Sequence, residues 1–413
     1  GLRDGGGLSQ KVSAAINHAY DAAARKLLRG QLGPGNRKRV VVLGSGWGGN
    51  RLARSLDKSM YDVTLVSPAN HFLVTPLLAQ TAVGTLEYRS VQEPVRTIPG
   101  LGRYYQAKAR TLDLANQTLV CEECITNDRP DGHKFQVGFD VLAIAVGNKT
   151  NTFDTQGVAA AEGREVHFLK HVKHARGIRD RLLECFERAS MPGVSVAERD
   201  RLLSFVVVGG GPTSCEFTAE LHDFLASDVE QWAYPELAKH VRVTLVEAGP
   251  RLLPTFDESL REYTRSELLS RNVDVRTDTM VKALEVDRSG CTNVALLQTR
   301  GRAEERLEFG MLVWSAGLSQ VKFVQNLYSA ATEIRKGANG RLLVDDQLRV
   351  LVEAGEAGEG SPWDPSTAEE QSTPLLGGRV YALGDCAAHV THPLPPTAQV
   401  AEQQADYLAA CLN

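Results

Sequence analysis

The chain has 413 residues, 43% apolar and 23% charged, with a formal net charge of −4 at pH 7. That length supports two or three domains with full cores, and the charge excludes a strongly basic nucleic-acid binder. No apolar run approaches the ~18 residues of a membrane-spanning helix, and seven scattered cysteines read as reduced thiols in an intracellular protein.

Residues 1–36 are rich in Gly and Ala, with Arg3, Lys11, Arg25, Lys26 and Arg29 against Asp4 and Asp21. Residues 9–28 predict a basic amphipathic helix that Leu32-Gly-Pro-Gly35 ends. It reads either as the remains of an organelle-targeting leader or as a solvated N-terminal helix. The β-branched run Val40 to Leu43 then predicts a buried parallel strand. Behind it Gly44, Gly46 and Gly49 fall in the spacing G-x-G-x-x-G, and Leu52, Ala53 and Leu56 begin a helical pattern. The first glycine permits the turn, the second lets backbone approach a pyrophosphate, and the third lets helix pack on strand. The helix start offers free N–H groups and the positive dipole end to phosphate.

The next strand, Tyr61 to Ser67, ends on a serine where the fingerprint expects an acid to grip a ribose. A serine holds ribose more weakly, which suits a nucleotide held by many other contacts, as a permanently bound flavin is. Thr75-Pro76 predicts a helix start, and Gly84 with Glu87 and Arg89 marks a turn. Residues 104–146 read as a meander with turns at Asn116-Gln117 and Asp131-Gly132. It runs into the strand Val141 to Val146, which stops at Gly147 and completes a flavin-binding unit. Cys121 and Cys124 form a C-x-x-C there, a redox dithiol, half a zinc site or a structural pair. No further cysteine or histidine pair is spaced to complete a metal site, so no metal is expected. Residues 166–189 predict one helix with Val166, Leu169, Val172, Ile178, Leu182, Leu183 and Phe186 on its buried face. Arg176, Arg179, Arg181 and Glu184 are expected on its solvated face.

A second strand–glycine–helix junction follows at 205–216. Gly209 and Gly211 hold the first two places, and Ser214 stands at the third. Two such units imply two dinucleotides. Here the ribose-reading strand, Val241 to Glu247, does end on an acid. A carboxylate accepts ribose hydroxyls and repels a 2′-phosphate, so NADH is expected over NADPH. Glu216 and Glu220 lie one turn apart on the helix starting at Pro212. They read as dipole-compensating residues, or, for Glu216, as a group reaching a nicotinamide or flavin edge. Cys215 at that helix start carries the alternative of a lowered pKa. Leu312 to Gly317 closes the second domain as Ala143 to Gly147 closes the first. Residues 353–374, rich in Glu, Gly, Ser and Pro, read as an exposed, mobile insertion or as an acidic partner-binding loop. The strand Arg379 to Leu383 ends at Gly384-Asp385, whose carboxylate suits a ribityl chain. Last, Gln399 and Gln403 lie four apart on one helix face, suited to a neutral oxygen-bearing ligand or to an ordinary amphipathic helix.

Together these motifs resemble the two-dinucleotide flavoproteins, and more narrowly the type II (alternative, non-proton-pumping) NADH dehydrogenases, over residues 38–411. The specific parts are Thr75-Pro-Leu-Leu78, Val83-Gly-Thr85, Arg89-Ser90, Thr150-Asn-Thr152, Gly209-Gly-Gly-Pro-Thr213 with Glu216, Gly384-Asp-Cys386 and Pro396 to Gln404. The resemblance implies an α/β fold of two Rossmann-like domains of glutathione-reductase type, the second inserted in the first. The FAD-binding domain is expected at 37–160 and 326–413, and the NADH-binding domain at 161–325. One tightly bound FAD is implied at Gly44, Gly46, Trp47, Gly48, Gly49, Ser67, Thr75, Pro76, Gly147, Gly384, Asp385 and Ala398. NADH is implied at Gly209, Gly211, Pro212, Thr213, Ser214, Glu247, Ala316 and Gly317, and a quinone such as ubiquinone near Gln399 and Gln403. The implied chemistry is ping-pong, hydride from NADH to flavin and then two electrons to quinone. Glu216 is the candidate for orienting the nicotinamide or relaying a proton. The family implies a peripheral place on the mitochondrial inner membrane, as a homodimer or in a respiratory assembly. Family members continue past the Gln-rich helix, so the membrane-lying C-terminal segment is expected to be missing from the chain. No calcium loop of the D-x-D-x-D-G kind occurs. The competing readings are an NADH-oxidising flavoprotein of the apoptosis-inducing-factor type and a scaffold subunit.

Overall fold

The computed structural model describes residues 37–125, 132–286, 293–327, 334–337, 339–353 and 372–413. The expected N-terminal helix, the Asp131 turn position and the body of the 353–374 insertion lie outside them. The described residues cluster into two units. One takes the chain up to Phe72, Glu93–Asn148 and Gln320–Asn413; the other takes Leu73–Gln92 and Lys149–Ser319.

In chain order the first unit opens with β1 (Lys38–Leu43), α1 (Trp47–Ser55) and β2 (Tyr61–Ser67). After an excursion through α2 (Leu78–Val83) of the second unit come β3 (Arg103–Asp113), β4 (Thr118–Glu123), β5 (Lys134–Gly138) and β6 (Val141–Ile144). The second unit then supplies β7 (Val166–Phe168), α3 (Val172–Ser190), β8 (Ser204–Val208), α4 (Pro212–Phe224), β9 (Arg242–Val246), β10 (Asp274–Arg276) and β11 (Met311–Trp314). Finally β12 (Val380–Ala382) and α5 (Ala398–Leu412) complete the first unit.

The sheet of the first unit has the order β12-β6-β1-β2-β3-β4-β5. Its first five strands are parallel, and β4 and β5 turn back antiparallel. A parallel strand is covered on both faces, so its sequence is apolar throughout rather than alternating. Val40, Val41, Val42 and Leu43 are accordingly at most 1% exposed. Gln117, with φ +50°, makes the β3–β4 turn, and Asp113 Oδ1 accepts the Asn116 N–H at 3.0 Å. Helix α5 lies on α1, tied by an Arg51–Asp406 ion pair at 2.6 Å. The ends of the 353–374 insertion are joined, since Leu351–Glu353 pairs antiparallel with Ser372–Pro374.

The second unit has an all-parallel sheet, β7-β11-β8-β9-β10, and a three-stranded antiparallel sheet of Thr279–Val286, Asn293–Thr299 and Glu305–Glu308. Residues 73–92, read from the sequence as part of the first domain, belong here. Leu78, Ala82 and Val83 of α2 share one buried core with Ala175, Ile178 and Leu182 of α3. The Arg176 guanidinium also lies over the Tyr88 ring, 4.5 Å from its centroid. The single helix expected over 166–189 divides in two. Val166-His-Phe168 is a strand paired with β11, and the helix starts only after His171, whose extended backbone makes it the N-cap. Arg181 also departs from expectation. It is 6% exposed, and its Nε and Nη2 donate to Gly310 O at 2.9 and 2.7 Å while Nη1 pairs with Glu184. Leu183, expected inside, is 39% exposed. No helix of the described residues is long and apolar enough to cross a membrane.

Candidate functional site: two nucleotide cradles

The first cradle is built where β1 hands over to α1. Gly44 has φ +103°, and a Cβ there would strike the Ala145 carbonyl at the end of β6. A Cβ on Gly49 would strike Gly44 O, so both places admit only glycine. Gly46 differs: it is exposed, and a Cβ there would meet nothing within 4 Å. It is also the N-cap of α1 and offers no side chain, so no side-chain cap closes the helix start. Trp47, half-buried, packs edge-on against Phe72 with ring centroids 5.0 Å apart. Gly48 is enclosed by Leu383 and the Ala401 carbonyl. That contact brings the starts of α1 and α5 to the segment Gly384–Cys386, which directly follows Leu383.

Asp385 accepts a hydrogen bond from Asn148 Nδ2 at 2.7 Å, and its carbonyl accepts one from Gln320 Nε2 at 3.4 Å. Gly384, at φ +70°, donates its N–H to Gln404 Oε1 at 2.7 Å. Gly147, at φ +63°, borders open space, and Ala398 begins α5 behind the Thr397 cap. The structure thus brings Gly44, Gly46, Trp47, Gly48, Gly49, Gly147, Gly384, Asp385 and Ala398 into one unit. Three residues expected at the flavin stand apart from this group. Ser67 is 3% exposed, and its Oγ is engaged with Ser45 Oγ at 2.9 Å and the Ala69 N–H at 3.3 Å, so the hydroxyl serves the turn rather than facing outward. Thr75 and Pro76 are exposed and belong to the second unit. Asn148, Gln320 and Gln404 escaped the sequence reading. Gln404, beside Gln403, was the most findable, but its partner is 20 residues away.

The second cradle repeats the design. Gly209 has φ +119°, and a Cβ there would lie 2.9 Å from Ser214 Oγ and 3.1 Å from Ala316 N. Gly211 borders open space and caps α4 without a side chain, with Pro212 at the first helical place. Thr213 is exposed, while Ser214 is fully buried. Glu247 follows β9, and its two oxygens accept the N–H groups of Gly210 and Gly249, each at 2.5 Å. The carboxylate is thereby fixed against the glycine loop with lone pairs to spare. Gly317, at φ +70°, ends β11's extension; a Cβ there would strike the exposed Phe153 ring. Asn151 holds that corner, donating its N–H to Gly317 O at 3.3 Å and accepting from Trp314 Nε1 at 3.0 Å. Glu216 is exposed on α4, and partial desolvation, then the nearby Glu220, raises its pKa.

Burial disfavours the thiolate at three of the cysteines near these elements. Burial pushes Cys215 up to about 12, against the lowered value its helix position allowed. Cys121 and Cys386 are each raised to about 11, again by burial, and Cys121 and Cys124 form no disulfide. Among the described residues, no group of three His, Cys, Asp or Glu is arranged to hold a metal. Gln399 and Gln403 are both exposed on α5, four residues apart.

Two cradles of this kind, one per unit, define a two-dinucleotide oxidoreductase, and a family model described as pyridine nucleotide-disulphide oxidoreductase matches residues 38–354. A probable NADH dehydrogenase of Dictyostelium discoideum is 37% identical over 91% of this chain and 73% of that protein. The mitochondrial external NADH-ubiquinone oxidoreductase 2 of Saccharomyces cerevisiae is 38% identical over 91% of this chain, which spans 62% of that protein. The NDH2 of Plasmodium falciparum, solved in complex with NADH, superposes with a TM-score of 0.77 at 25% identity, over 91% of this chain and 83% of that one. The chain belongs to this family, within its branch of type II, alternative NADH dehydrogenases.

Proposed function

We propose that the protein takes a hydride from NADH at the second cradle and delivers two electrons to ubiquinone through one tightly bound FAD in the first, pumping no protons. The observation that carries this reading is the duplicated cradle, closed by Asp385 in one unit and by Glu247 in the other. The open approach at Gly46 and Gly147, the uncapped start of α1 and the Asp385 carboxylate fit a flavin dinucleotide. When bound, FAD supplies the two-electron relay that no side chain provides.

The chain's own residues bind, orient and select. Gly44, whose own N–H is donated to Val66 O at 2.8 Å, makes the turn, and Gly49 the close packing, that let the exposed Gly46 bring backbone to the flavin's pyrophosphate. Asp385, held by Asn148, accepts from the ribityl hydroxyls, and Gln404 fixes the Gly384 turn that presents it. Gly209 to Ser214 cradle the NADH pyrophosphate, with Ala316 and Gly317 beside it. Glu247 accepts the adenosine ribose hydroxyls and repels a 2′-phosphate, so NADPH is the poorer donor. Glu216 orients the nicotinamide or holds a proton for it. Gln399 and Gln403 donate their amide N–H groups to the quinone's carbonyl oxygens. The site of action is the mitochondrial inner membrane surface, by peripheral contact. The apoptosis-inducing-factor alternative is not favoured, since the relatives carry quinone-reductase names.

The test is steady-state NADH oxidation with a short-chain ubiquinone as acceptor. Quinone-dependent turnover, with NADPH markedly slower, is expected. The paired change Gln399→Leu with Gln403→Leu should raise the quinone KM by about tenfold, the loss of roughly 1.4 kcal/mol of hydrogen bonding. NADH oxidation that ignores quinone, or an unchanged KM in the paired variant, contradicts the assignment.

A further inference from the structure

The second glycine loop departs from the G-x-G-x-x-G spacing at its third place, where Ser214 stands. That place sets how closely the helix approaches the strand end. In the first cradle Gly49 lies so near Gly44 O that no Cβ fits. At the equivalent place in the second, a Cβ and a hydroxyl are accommodated with the residue 0% exposed. The hydroxyl is not idle. Ser214 Oγ lies 2.6 Å from Ser315 Oγ, and Ser315, just past β11, donates its N–H to Val208 O at 3.0 Å. One hydroxyl pair therefore bridges 101 residues and ties the first turn of α4 to the segment leading into Ala316 and Gly317. Thr218 Oγ1 donates to Ser214 O at 2.7 Å and secures the helical side of the bridge.

We propose that Ser315 is a positioning residue for the reduced dinucleotide: through Ser214 it sets the gap between α4 and Ala316-Gly317 that a third glycine would otherwise set. The inference rests on the second cradle being the NADH site. The two serines act as a matched pair. Without the Ser315 hydroxyl, the Ser214 hydroxyl is left buried beside Gly209 and has to turn toward backbone, deforming the loop. Without the Ser214 side chain, the half-buried Ser315 loses the partner that fixes its hydroxyl and no longer ties β11's extension to α4. Removing both leaves glycine at all three fingerprint places and no orphaned hydroxyl.

A double-mutant cycle on the flavin-loaded protein tests this. Binding of NAD⁺, which does not reduce the flavin, is read by calorimetry, beside KM values for NADH and for short-chain ubiquinone and the thermal midpoint. S315A and S214G should each weaken NAD⁺ binding and raise the NADH KM by about tenfold. The ubiquinone KM should stay unchanged in both. S214G/S315A should recover to within about twofold of the unsubstituted protein. Single variants that bind NAD⁺ normally, a double variant whose losses add, or equal rises in both KM values overturn the inference, whatever the thermal midpoints do. If the unsubstituted protein binds NAD⁺ and NADH not at all, the reading of the site fails and this inference with it.

Discussion

Glu216 shows how one side chain links stability to pH. Its folded pKa is raised, first by desolvation and then by Glu220, so the folded chain holds that proton more tightly than the unfolded chain. Stability then falls as pH rises from the ordinary glutamate range through the raised value. Glu216→Gln should therefore have the higher thermal midpoint at pH 7, and the difference should vanish below about pH 4. A lower midpoint at pH 7 contradicts this. If the residue also serves the nicotinamide, the same variant loses turnover at saturating quinone; unchanged turnover leaves it a surface acid. Gln404 acts on the other cradle. Gln404→Leu strips the Gly384 N–H of its acceptor, an uncompensated loss of about 1–3 kcal/mol, and should weaken flavin retention by roughly tenfold or more. Flavin fluorescence released on dilution reads it directly. Asp385 and Glu247 were legible in the sequence because each stands at the end of an apolar strand, a local signal. Gln404, Ser315 and Arg181 were not, because their partners lie 20, 101 and 129 residues away.

Among the elements, α3 shows how far periodicity reaches. Ile178, Leu182 and Phe186 were readable as a buried face, and they are buried. The strand β7 just before the helix was not, because Val166 and Leu169 also satisfy helical spacing and only pairing with β11 decides between the two. The charged face was misjudged at Arg181. Its guanidinium is placed under the turn that feeds β11 and holds Gly310 O by two hydrogen bonds. A Cβ on Gly310 would strike Leu202 O, so that turn has no slack. Arg181→Met fills part of the volume but leaves the Gly310 carbonyl without its donors. It should destabilise the second unit by about 2–3 kcal/mol, read by denaturant unfolding. A loss within ~0.5 kcal/mol would return Arg181 to the class of ordinary surface residues.

For the molecule as a whole, the glycine spacings marked both strand–helix junctions, and the interruption of one nucleotide unit by another followed from the family resemblance. The allotment of residues 73–92 did not. Leu78, Ala82 and Val83 announce an apolar face, but nothing local says which unit's core it joins, and the structure gives it to α3. The division into units matters for the proposed function, which assigns each half of the reaction its own cradle: backbone and Asp385 in one, backbone and Glu247 in the other. The central claim is that both halves operate in this one chain. An anaerobic visible spectrum of the purified protein, with NADH added first and a short-chain ubiquinone second, tests it most directly. The account predicts a flavin band that NADH bleaches and ubiquinone restores in full. A protein without a flavin band, a band that NADH leaves untouched, or a bleached band that ubiquinone does not restore would contradict it.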